Sequence, residues 1–248
     1  MSSSIVLHLP HASTIPKNLR QDFLLSDQEL REELNRITDH ATDTIFRGAF
    51  PKANAIVFPV SRLVVDPERF SDDSQEPMSQ VGMAVTYTRG SLRQPLREQP
   101  SQAKHQELLE RYYIPNHQKL TEAVEESLLA SDHCLIIDGH SFLALPLPYE
   151  LEQTAFRPDF CLGTDDFHTP EELVAKVEKI LENCGYSTAR DRPFSGTIAP
   201  MKHYRKDRRV QSLMIEINRW LYLGEDYSVD SERLEIWIEV LRRVGRGA

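Results

Sequence analysis

The chain has 248 residues, of which 40% are hydrophobic and 27% are charged, and its formal net charge is −9. This composition is that of an ordinary globular protein, and the acidic balance argues against a dedicated nucleic-acid-binding protein. The three cysteines have no CxxC spacing, which argues against a disulfide framework or a structural zinc site and indicates a reducing compartment.

The chain shows no targeting or membrane-spanning segment. Its first residues lack the basic region of a signal peptide, and no apolar run approaches the roughly 18 residues of a membrane-spanning helix. The densest basic run, 202–209, is typical of a solvated loop. We therefore expect a cytoplasmic protein whose partner is a small molecule rather than nucleic acid or a membrane. The sequence gives no prediction of its oligomeric state.

Predicted strands and helices alternate along the chain. The apolar, β-branched runs predict strands at 5–9, 55–60 with 62–66, 134–140, 159–163 and 212–218. Helical periodicity predicts helices at 27–49, 101–130, 170–184 and 230–244, and Pro115 should kink or split the second. This order predicts a single α/β domain over 1–248, with a mixed, mostly parallel sheet flanked by helices on both faces.

Segment 67–100 is long, polar and rich in turn residues. A loop of that length in a compact domain is usually functional or mobile. Its closure over a bound substrate is a hypothesis that the sequence raises.

Polar residues gather where the predicted strands end. In open α/β sheets, ligands bind outside the carboxyl ends of the strands, so these side chains should meet at one edge. In chain order they are His8, His11, Arg62, Asp66, Arg69, Asp138, His140, Ser141, Glu216, Asn218 and Arg219.

Two imidazoles with one carboxylate form the ligand set of a catalytic zinc ion that keeps one position open for water. Two of the predicted strands end in histidine-containing segments, and carboxylates are available in TDHATDTIF (38–46). Asp43 lies inside the predicted helix, where helix propensity disfavours aspartate, so a packing or ligand role explains it better, and it is the favoured ligand. Asp39, which could instead be an N-terminal helix charge, is the alternative. The prediction is one Zn²⁺ ion, although another divalent transition metal would suit the same ligands.

Glu216 lies in a strand that is apolar on both sides, where an unpaired carboxylate would be costly. It is either an ion-pair partner of Arg219 or a general base that takes a proton from a metal-bound water. Arg62 and Arg69 could bind a substrate carboxylate or polarise the scissile carbonyl. The alternative for both is ion pairing with nearby acidic residues such as Asp66.

With these residues identified, the chain resembles the N-formylglutamate amidohydrolase family. The resemblance implies a phosphorylase/hydrolase-like α/β fold, which zinc carboxypeptidases and aspartoacylases share. It also implies zinc-dependent hydrolysis of an N-acyl amino acid, typically N-formyl-L-glutamate to formate and L-glutamate in histidine degradation. The ordered blocks that carry it are HLPHAST-IP, TDHATDTIF, SRLVVDPERFSDD, MSQVGMAVTYT, YYIPNHQKL, DGHSF, PDFCLG, FSGTIAP and MIEINRWLY.

The resemblance also implies roles for particular residues. DGHSF resembles the strand that supplies the second zinc histidine, which gives His140. PHAST resembles the block of the first, which gives His11, with His8 as the less favoured alternative. MIEIN resembles the block of the catalytic glutamate, which gives Glu216 as the base, with Arg62 stabilising the oxyanion.

The substrate-binding residues follow in the same way. VDPERF resembles an Asp-x-Asn-Arg motif whose Asn and Arg bind the substrate carboxylate, which assigns Arg69 to that carboxylate and places Glu68 at the position of the Asn. Ser141 and Arg219, at neighbouring strand ends, are expected to bind substrate as well. An acidic Glu68 is a departure from the motif, and it weakens the assignment of N-formylglutamate more than that of a hydrolase.

Two other functions fit the same residues. One is a zinc deacylase or carboxypeptidase-like hydrolase that acts on another N-acyl amino acid or peptide. The other is a non-catalytic metal-binding protein of the same fold. A panel of substrates separates the hydrolases from each other, and turnover separates both from the binding protein.

Overall fold

A computed structural model describes residues 4–15, 17–154 and 156–247. Within these residues the strands are β1 (Ile5–Leu9), β2 (Asn54–Val57), β3 (Cys134–Phe142), β4 (Phe160–Gly163), β5 (Thr188–Arg190) and β6 (Val210–Asn218). They form one sheet in the order β2-β1-β3-β6-β4-β5. Neighbouring strands are parallel except β4 and β6, which are antiparallel.

The α-helices lie between the strands. They are α1 (Asp27–Ile37), α2 (Thr42–Ala49), α3 (Gln102–Leu108), α4 (Ile114–Ser131), α5 (Glu171–Asn183) and α6 (Ser231–Gly247). Short 3₁₀ turns cover Lys17–Asp22, Pro77–Val81 and Arg219–Leu221. No helix in the described ranges is both long and apolar enough to cross a membrane.

The structure confirms the predicted α/β class, with a mixed and mostly parallel sheet flanked by helices. The strand assignment differs from the prediction in two places. Residues 62–66 form turns, although their apolar side chains are buried. The short edge strand β5 was not predicted, because three half-buried residues carry too little periodicity to stand out.

Alternation along the strands sends successive side chains to opposite faces of the sheet. One face packs under α2, α5 and α6, and the other packs under α4. The face under α4 carries Val6, Ile136 and Val210, and the opposite face carries Leu7, Ile137 and Leu213. Burying a side chain of this size stabilises the folded state by about 1.5–3 kcal/mol relative to leaving it exposed. Because both faces are buried, the strands cannot shift by one residue without exposing these side chains, so the residues that point toward α4 are fixed.

The segment 67–100 packs against a second apolar cluster instead of standing free in solvent. Met83, Val85, Tyr87 and Leu96 are buried there together with side chains from 58–65. The polar stretch 71–75 at its start is exposed. Closure of the segment over a ligand stays a prediction.

The predicted helix 27–49 is interrupted, and the interruption shapes the site. Helix α1 ends where Thr38 turns extended, with ψ 137°, and α2 begins after Ala41, which has φ 58°. A β-carbon makes this left-handed conformation costly, so an alanine at this position does not predict it. Asp39 therefore lies in a junction between two helices and not on a helix face.

The predicted helix 101–130 splits near Pro115, as expected. Helix α3 passes through a wide π-turn at Leu109–Tyr113 before α4 begins, and Pro115 occupies the first turn of α4. Proline is tolerated there because it has no N–H to leave unpaired. The next residue, Asn116, is buried and faces the sheet.

Candidate active site

Strand register brings the polar strand ends together on the face that α4 only partly covers. His8 on β1 is paired in register with Asp138 on β3, and His140 on β3 is paired with Glu216 on β6. All four side chains point the same way, because His8 is two residues from Val6, and Asp138, His140 and Glu216 continue the alternation of Ile136 and Val210. The predicted convergence at one sheet edge is therefore observed.

Three ligand atoms from distant parts of the chain meet at this edge. The Nδ1 atoms of His11 and His140 are 3.2 Å apart. Asp39 Oδ2 lies 3.2 Å from His140 Nδ1 and 3.7 Å from His11 Nδ1. Tetrahedral zinc with bonds of about 2.0–2.1 Å separates its ligand atoms by roughly 3.3–3.4 Å. The spacing of this triangle, which we call the Nδ1 triangle, fits a zinc ion.

The other nitrogen of each histidine is held by a carboxylate. His11 Nε2 is 2.9 Å from Asp66 Oδ1. His140 Nε2 is 3.2 Å from both Asp138 Oδ1 and Glu68 Oε1. A carboxylate can only accept a hydrogen bond, so each Nε2 carries a proton. In the neutral form of each ring, Nδ1 then presents its lone pair to the triangle. Carboxylate partners of this kind fix the tautomer and orientation of metal-binding histidines.

The same carboxylates make the surroundings of His11 and His140 favourable for positive charge. Burial opposes protonation of His140, but the charges of Glu68 and Asp138 outweigh it and raise its pKa well above the usual value. Burial also opposes ionisation of Asp39, yet its hydrogen bonds with the two histidines hold its pKa well below the usual value. A cation, whether a proton or a metal ion, is the partner that these groups favour.

A second arrangement of ligands uses the opposite edges of the two rings. His11, Glu68 and His140 each offer an atom within 4.8 Å of the others, with Glu68 Oε2 3.5 Å from His11 Nε2. On this edge, however, His11 Nε2 already donates to Asp66. With both histidines neutral and protonated at Nε2, as metal binding requires, the Nδ1 triangle is the edge at which both present a lone pair.

The predicted carboxylate ligand, Asp43, is not brought to the site. It lies half-buried in the first turn of α2 and does not line the pocket. Neither Asp43 nor Asp39 belongs to the two groups of possible metal ligands among the described residues, His11-Glu68-His140 and His8-Glu68-Asp138, so the preference for Asp39 rests on its distances to the two Nδ1 atoms. Asp39, the alternative, lies beside the two histidines because the chain breaks between α1 and α2. The geometry therefore favours Asp39, whereas treating 27–49 as one helix favoured Asp43.

Ser141 and Arg219, which were expected to bind substrate, line the pocket and also hold Asp39. Arg219 Nη2 donates to Asp39 Oδ1 over 2.8 Å, and Ser141 Oγ lies 3.3 Å from the same oxygen. Arg219 Nε also donates to Ser141 Oγ, and Nη1 donates to the carbonyl of Arg36. With its donors directed to protein atoms, Arg219 positions Asp39 so that Oδ2 faces the histidines.

Glu216 is the acid of the site that lacks a partner. Its side chain is buried, and Oε2 has no hydrogen-bond partner among the described residues. It does not pair with Arg219, whose donors are directed elsewhere. Burial raises the pKa of Glu216 to about 8, against the lowering effect of the nearby His140. A carboxyl group of this kind can accept and return a proton near neutral pH.

Arg62 and Arg69 form an arginine pair around Asp66. Arg62 Nη2 donates to Asp66 Oδ2 over 2.9 Å, and its Nε donates to Tyr87 Oη over 3.1 Å. Arg69 Nε is 3.8 Å from Asp66 Oδ2, and this buried atom has no hydrogen-bond partner in the described part of the chain. Both arginines line the pocket, and Arg69 is the one with unused donor capacity.

These groups open into a cavity of about 260 Å³. Its lining includes the residues of the Nδ1 triangle, the arginine pair and Tyr149. The remaining wall is formed largely by apolar side chains of the loop 142–151 and by Met78, Pro193, Phe194 and Met214. A cavity of this size suits a small organic substrate.

Four supporting residues make contacts that the sequence did not predict. Asp66 and Asp138 were noticed at strand ends but not recognised as the partners that orient His11 and His140. His8 Nδ1 lies 2.8 Å from Asp138 Oδ1, and Asn116 Nδ2 lies 3.4 Å from His8 Nε2. The parallel register of β1 with β3 would have indicated the first of these contacts.

The basic run 202–209 takes no part in the site. Arg209 pairs with Asp207 and with Asp132 on the surface, over 2.7 and 2.8 Å, and Lys202 pairs with Glu125. This agrees with the prediction of a solvated loop.

Comparison with known proteins identifies the family. No protein with curated annotation matches the chain. A crystal structure of N-formylglutamate amidohydrolase from Ralstonia eutropha JMP134 has 24% sequence identity, covers 99% of this chain and 95% of that chain, and superposes with a TM-score of 0.83. The gene product Atu2144 from Agrobacterium tumefaciens has 19% identity, with 98% and 90% coverage and a TM-score of 0.71. These two likenesses show the fold.

The family itself is shown by a sequence model that spans nearly the whole chain. The model of the N-formylglutamate amidohydrolase family matches residues 3–223, a range that includes both histidines, Asp39, the arginine pair and Glu216. The chain therefore belongs to the N-formylglutamate amidohydrolase family of hydrolytic enzymes.

Proposed function

We propose that this chain is a zinc-dependent hydrolase of N-acyl amino acids. N-formyl-L-glutamate, from which the family takes its name, is the reference substrate, with formate and L-glutamate as its products. That reaction would place the protein in cytoplasmic histidine degradation. The observation that carries the proposal is the Nδ1 triangle with the unpartnered acid Glu216 beside it.

The donor set fits zinc better than a hard cation such as Mg²⁺. Two imidazole nitrogens and one carboxylate oxygen, from His11, His140 and Asp39, are the three protein ligands of a catalytic zinc site with one position left open. When bound, zinc would act as a Lewis acid and lower the pKa of a water molecule.

Glu216 supplies the proton transfers. It stands opposite His140 in the strand register, it lines the pocket, and its buried Oε2 has no hydrogen-bond partner among the described residues. In the proposed reaction Oε2 takes a proton from the attacking water and later gives it to the leaving nitrogen of the amide. A positioned acid or base of this kind contributes about 10²–10⁴-fold to a rate.

The arginine pair binds the carboxylate of the amino acid. Arg62 and Arg69 together carry two positive charges against the single charge of Asp66. Arg69 Nε has a free donor, and charge-assisted bonds from a guanidinium to a carboxylate are among the strong hydrogen bonds of proteins. With the carboxylate held there, the acyl group is directed toward the metal site and Glu216.

The experiment is metal analysis combined with an assay of formate release. Purified wild-type protein should contain near-stoichiometric zinc and release formate from N-formyl-L-glutamate. The variant His140→Ala should lose both, whereas His133→Ala, which changes an exposed histidine just before the other end of β3, should lose neither. Absence of zinc after reconstitution, or equal zinc content in the two variants, would refute the metal site.

A further inference from the structure

Two aromatic side chains, one at the end of the π-turn and one in the first turn of α4, hold the backbone of the turn that carries Arg69. Tyr113 Oη donates to the carbonyl oxygen of Arg69 over 3.0 Å. His117 Nε2 donates to the carbonyl oxygen of Pro67 over 2.9 Å. We call Tyr113 and His117 the aromatic clamp. It fixes the backbone at the carbonyls before and after the pocket residue Glu68.

The aromatic clamp belongs to a well-packed part of the fold. Its two members are four residues apart on one helical face, and their ring centroids are 4.3 Å apart. Tyr113 closes the wide turn Leu109–Tyr113, and π-turns of this kind are frequent at functional sites. Helix α4, which follows directly, packs Leu120 and Val124 against the sheet. The clamp therefore connects the turn to the core through a packed helix.

The turn depends on this support. Residues 66–70 form neither helix nor strand. The buried Nε of Arg69 has no hydrogen-bond partner among the described residues, and Asp66 and Glu76 act on its guanidinium only as nearby charges. Arg62, by contrast, is held through its own side chain by two hydrogen bonds. The position of the Arg69 guanidinium is therefore set by its backbone more than by contacts of the guanidinium itself.

We propose that the aromatic clamp positions Arg69 for the carboxylate of the substrate. Neither Tyr113 nor His117 lines the active-site pocket, so both act through the backbone and are positioning residues rather than catalytic ones. Without the clamp, the Arg69 guanidinium spreads over several positions and binds a carboxylate less tightly, whereas the Nδ1 triangle and Glu216 are unaffected. This inference rests on the proposed function, in which Arg69 binds that carboxylate.

The variant Tyr113→Phe tests the proposal, because it removes one oxygen atom and leaves the ring against His117. On the zinc-loaded enzyme it should raise the KM of N-formyl-L-glutamate about fivefold, the effect expected from one hydrogen bond. Because the lost interaction serves binding, kcat and zinc content should stay within about twofold of the wild type.

Tyr112→Phe is the matched control. The ring of Tyr112 packs against the apolar cluster of segment 67–100, and its hydroxyl makes no hydrogen bond in the described part of the chain, so the KM should stay as in the wild type. An unchanged KM in a folded, zinc-loaded Tyr113→Phe variant would overturn the proposal. An equal rise of KM in both variants would overturn it as well, because the hydroxyl of Tyr113 would then have no particular role.

Hydrogen exchange of backbone amides tests the clamp without any turnover. The amide of Glu68 donates to Asp66 Oδ1 and that of Phe70 donates to Glu76 Oε2, both over 3.0 Å, so these two amides report on the turn. Their exchange in the zinc-loaded protein should be about fivefold faster in Tyr113→Phe than in the wild type or in the control.

His117→Phe is a second variant that keeps an aromatic ring against Tyr113 and removes the donor to Pro67. It should change the KM and the amide exchange in the same direction as Tyr113→Phe. Unchanged exchange in both variants would refute the clamp whatever the activity. Faster exchange in both, with no turnover of N-formyl-L-glutamate by the wild type, would uphold the clamp on the turn and refute the proposed substrate.

Discussion

The substitution Asp39→Asn separates the observed carboxylate from the one that sequence favoured. Asp39 Oδ2 lies 3.2 and 3.7 Å from the two Nδ1 atoms, so it supplies one of the three protein ligands of the Nδ1 triangle. Changing a residue that merely orients a ligand typically costs 10–100-fold in metal affinity. Loss of the ligand itself should reach the upper end, about 100-fold or about 2.7 kcal/mol.

Asp43→Asn is the matched control, because it makes the same chemical change four residues away. Its side chain is half-buried on α2 and outside the pocket, so zinc affinity should change less than about threefold, below 0.7 kcal/mol by the same conversion. Glu68→Gln is the third variant, since Glu68 lies on the opposite edges of the histidines. It should weaken zinc by no more than about tenfold.

The assay is a competition titration of zinc against a chelator of known affinity, with the folding of each variant checked by thermal unfolding in EDTA. Two outcomes would refute the reasoning. A large loss in Asp43→Asn with little change in Asp39→Asn would restore the original prediction. A large loss in Glu68→Gln alone would move the metal to the Nε2 edges of the histidines.

Three further predictions follow from the surroundings of the metal site. Glu216→Gln should lower kcat about 10²–10⁴-fold while zinc content stays unchanged, and parallel loss of zinc would contradict its role as a base. Asn116→Leu removes the donor to His8 Nε2, and it should weaken zinc binding about tenfold through Asp138; an unchanged zinc affinity would show that this contact does not position the site. Burial lowers the pKa of His117 to about 4 from 6.5, so between these pH values the unfolded chain binds a proton that the folded chain does not. The free energy of unfolding should therefore fall as pH is lowered through this window, by up to about 3 kcal/mol more in the wild type than in His117→Gln, as measured by urea unfolding.

The sequence predicted the edge of the sheet at which the site forms, and the reason is geometric. Buried strands are readable from their composition, and parallel strands end at the same edge. His140 and Glu216 could therefore be placed near each other although 76 positions separate them in the numbering. Their face followed from alternation along β3 and β6, which requires no knowledge of the loops.

The choice between the two aspartates could not be made in the same way. It depended on Ala41 adopting φ 58°. This conformation is unfavourable for alanine and is imposed by tertiary packing, so the residue type does not predict it. The role of Arg219 was missed for a related reason. Its partner Asp39 is 180 positions away, and the contact exists only because the junction between α1 and α2 folds back onto β3.

The sum of buried charges supplies a last argument for a cation in the site. Asp39, Asp66 and Asp138 are all buried, and isolated buried carboxylates are prohibitively costly. Arg219 balances the first and the arginine pair balances the second, but the partners of Asp138 are the two histidines His8 and His140. Glu68 adds another carboxylate against His140. This excess of acceptors around His140 holds together only if a positive charge sits on or beside that ring, and a divalent ion on its Nδ1 meets the requirement.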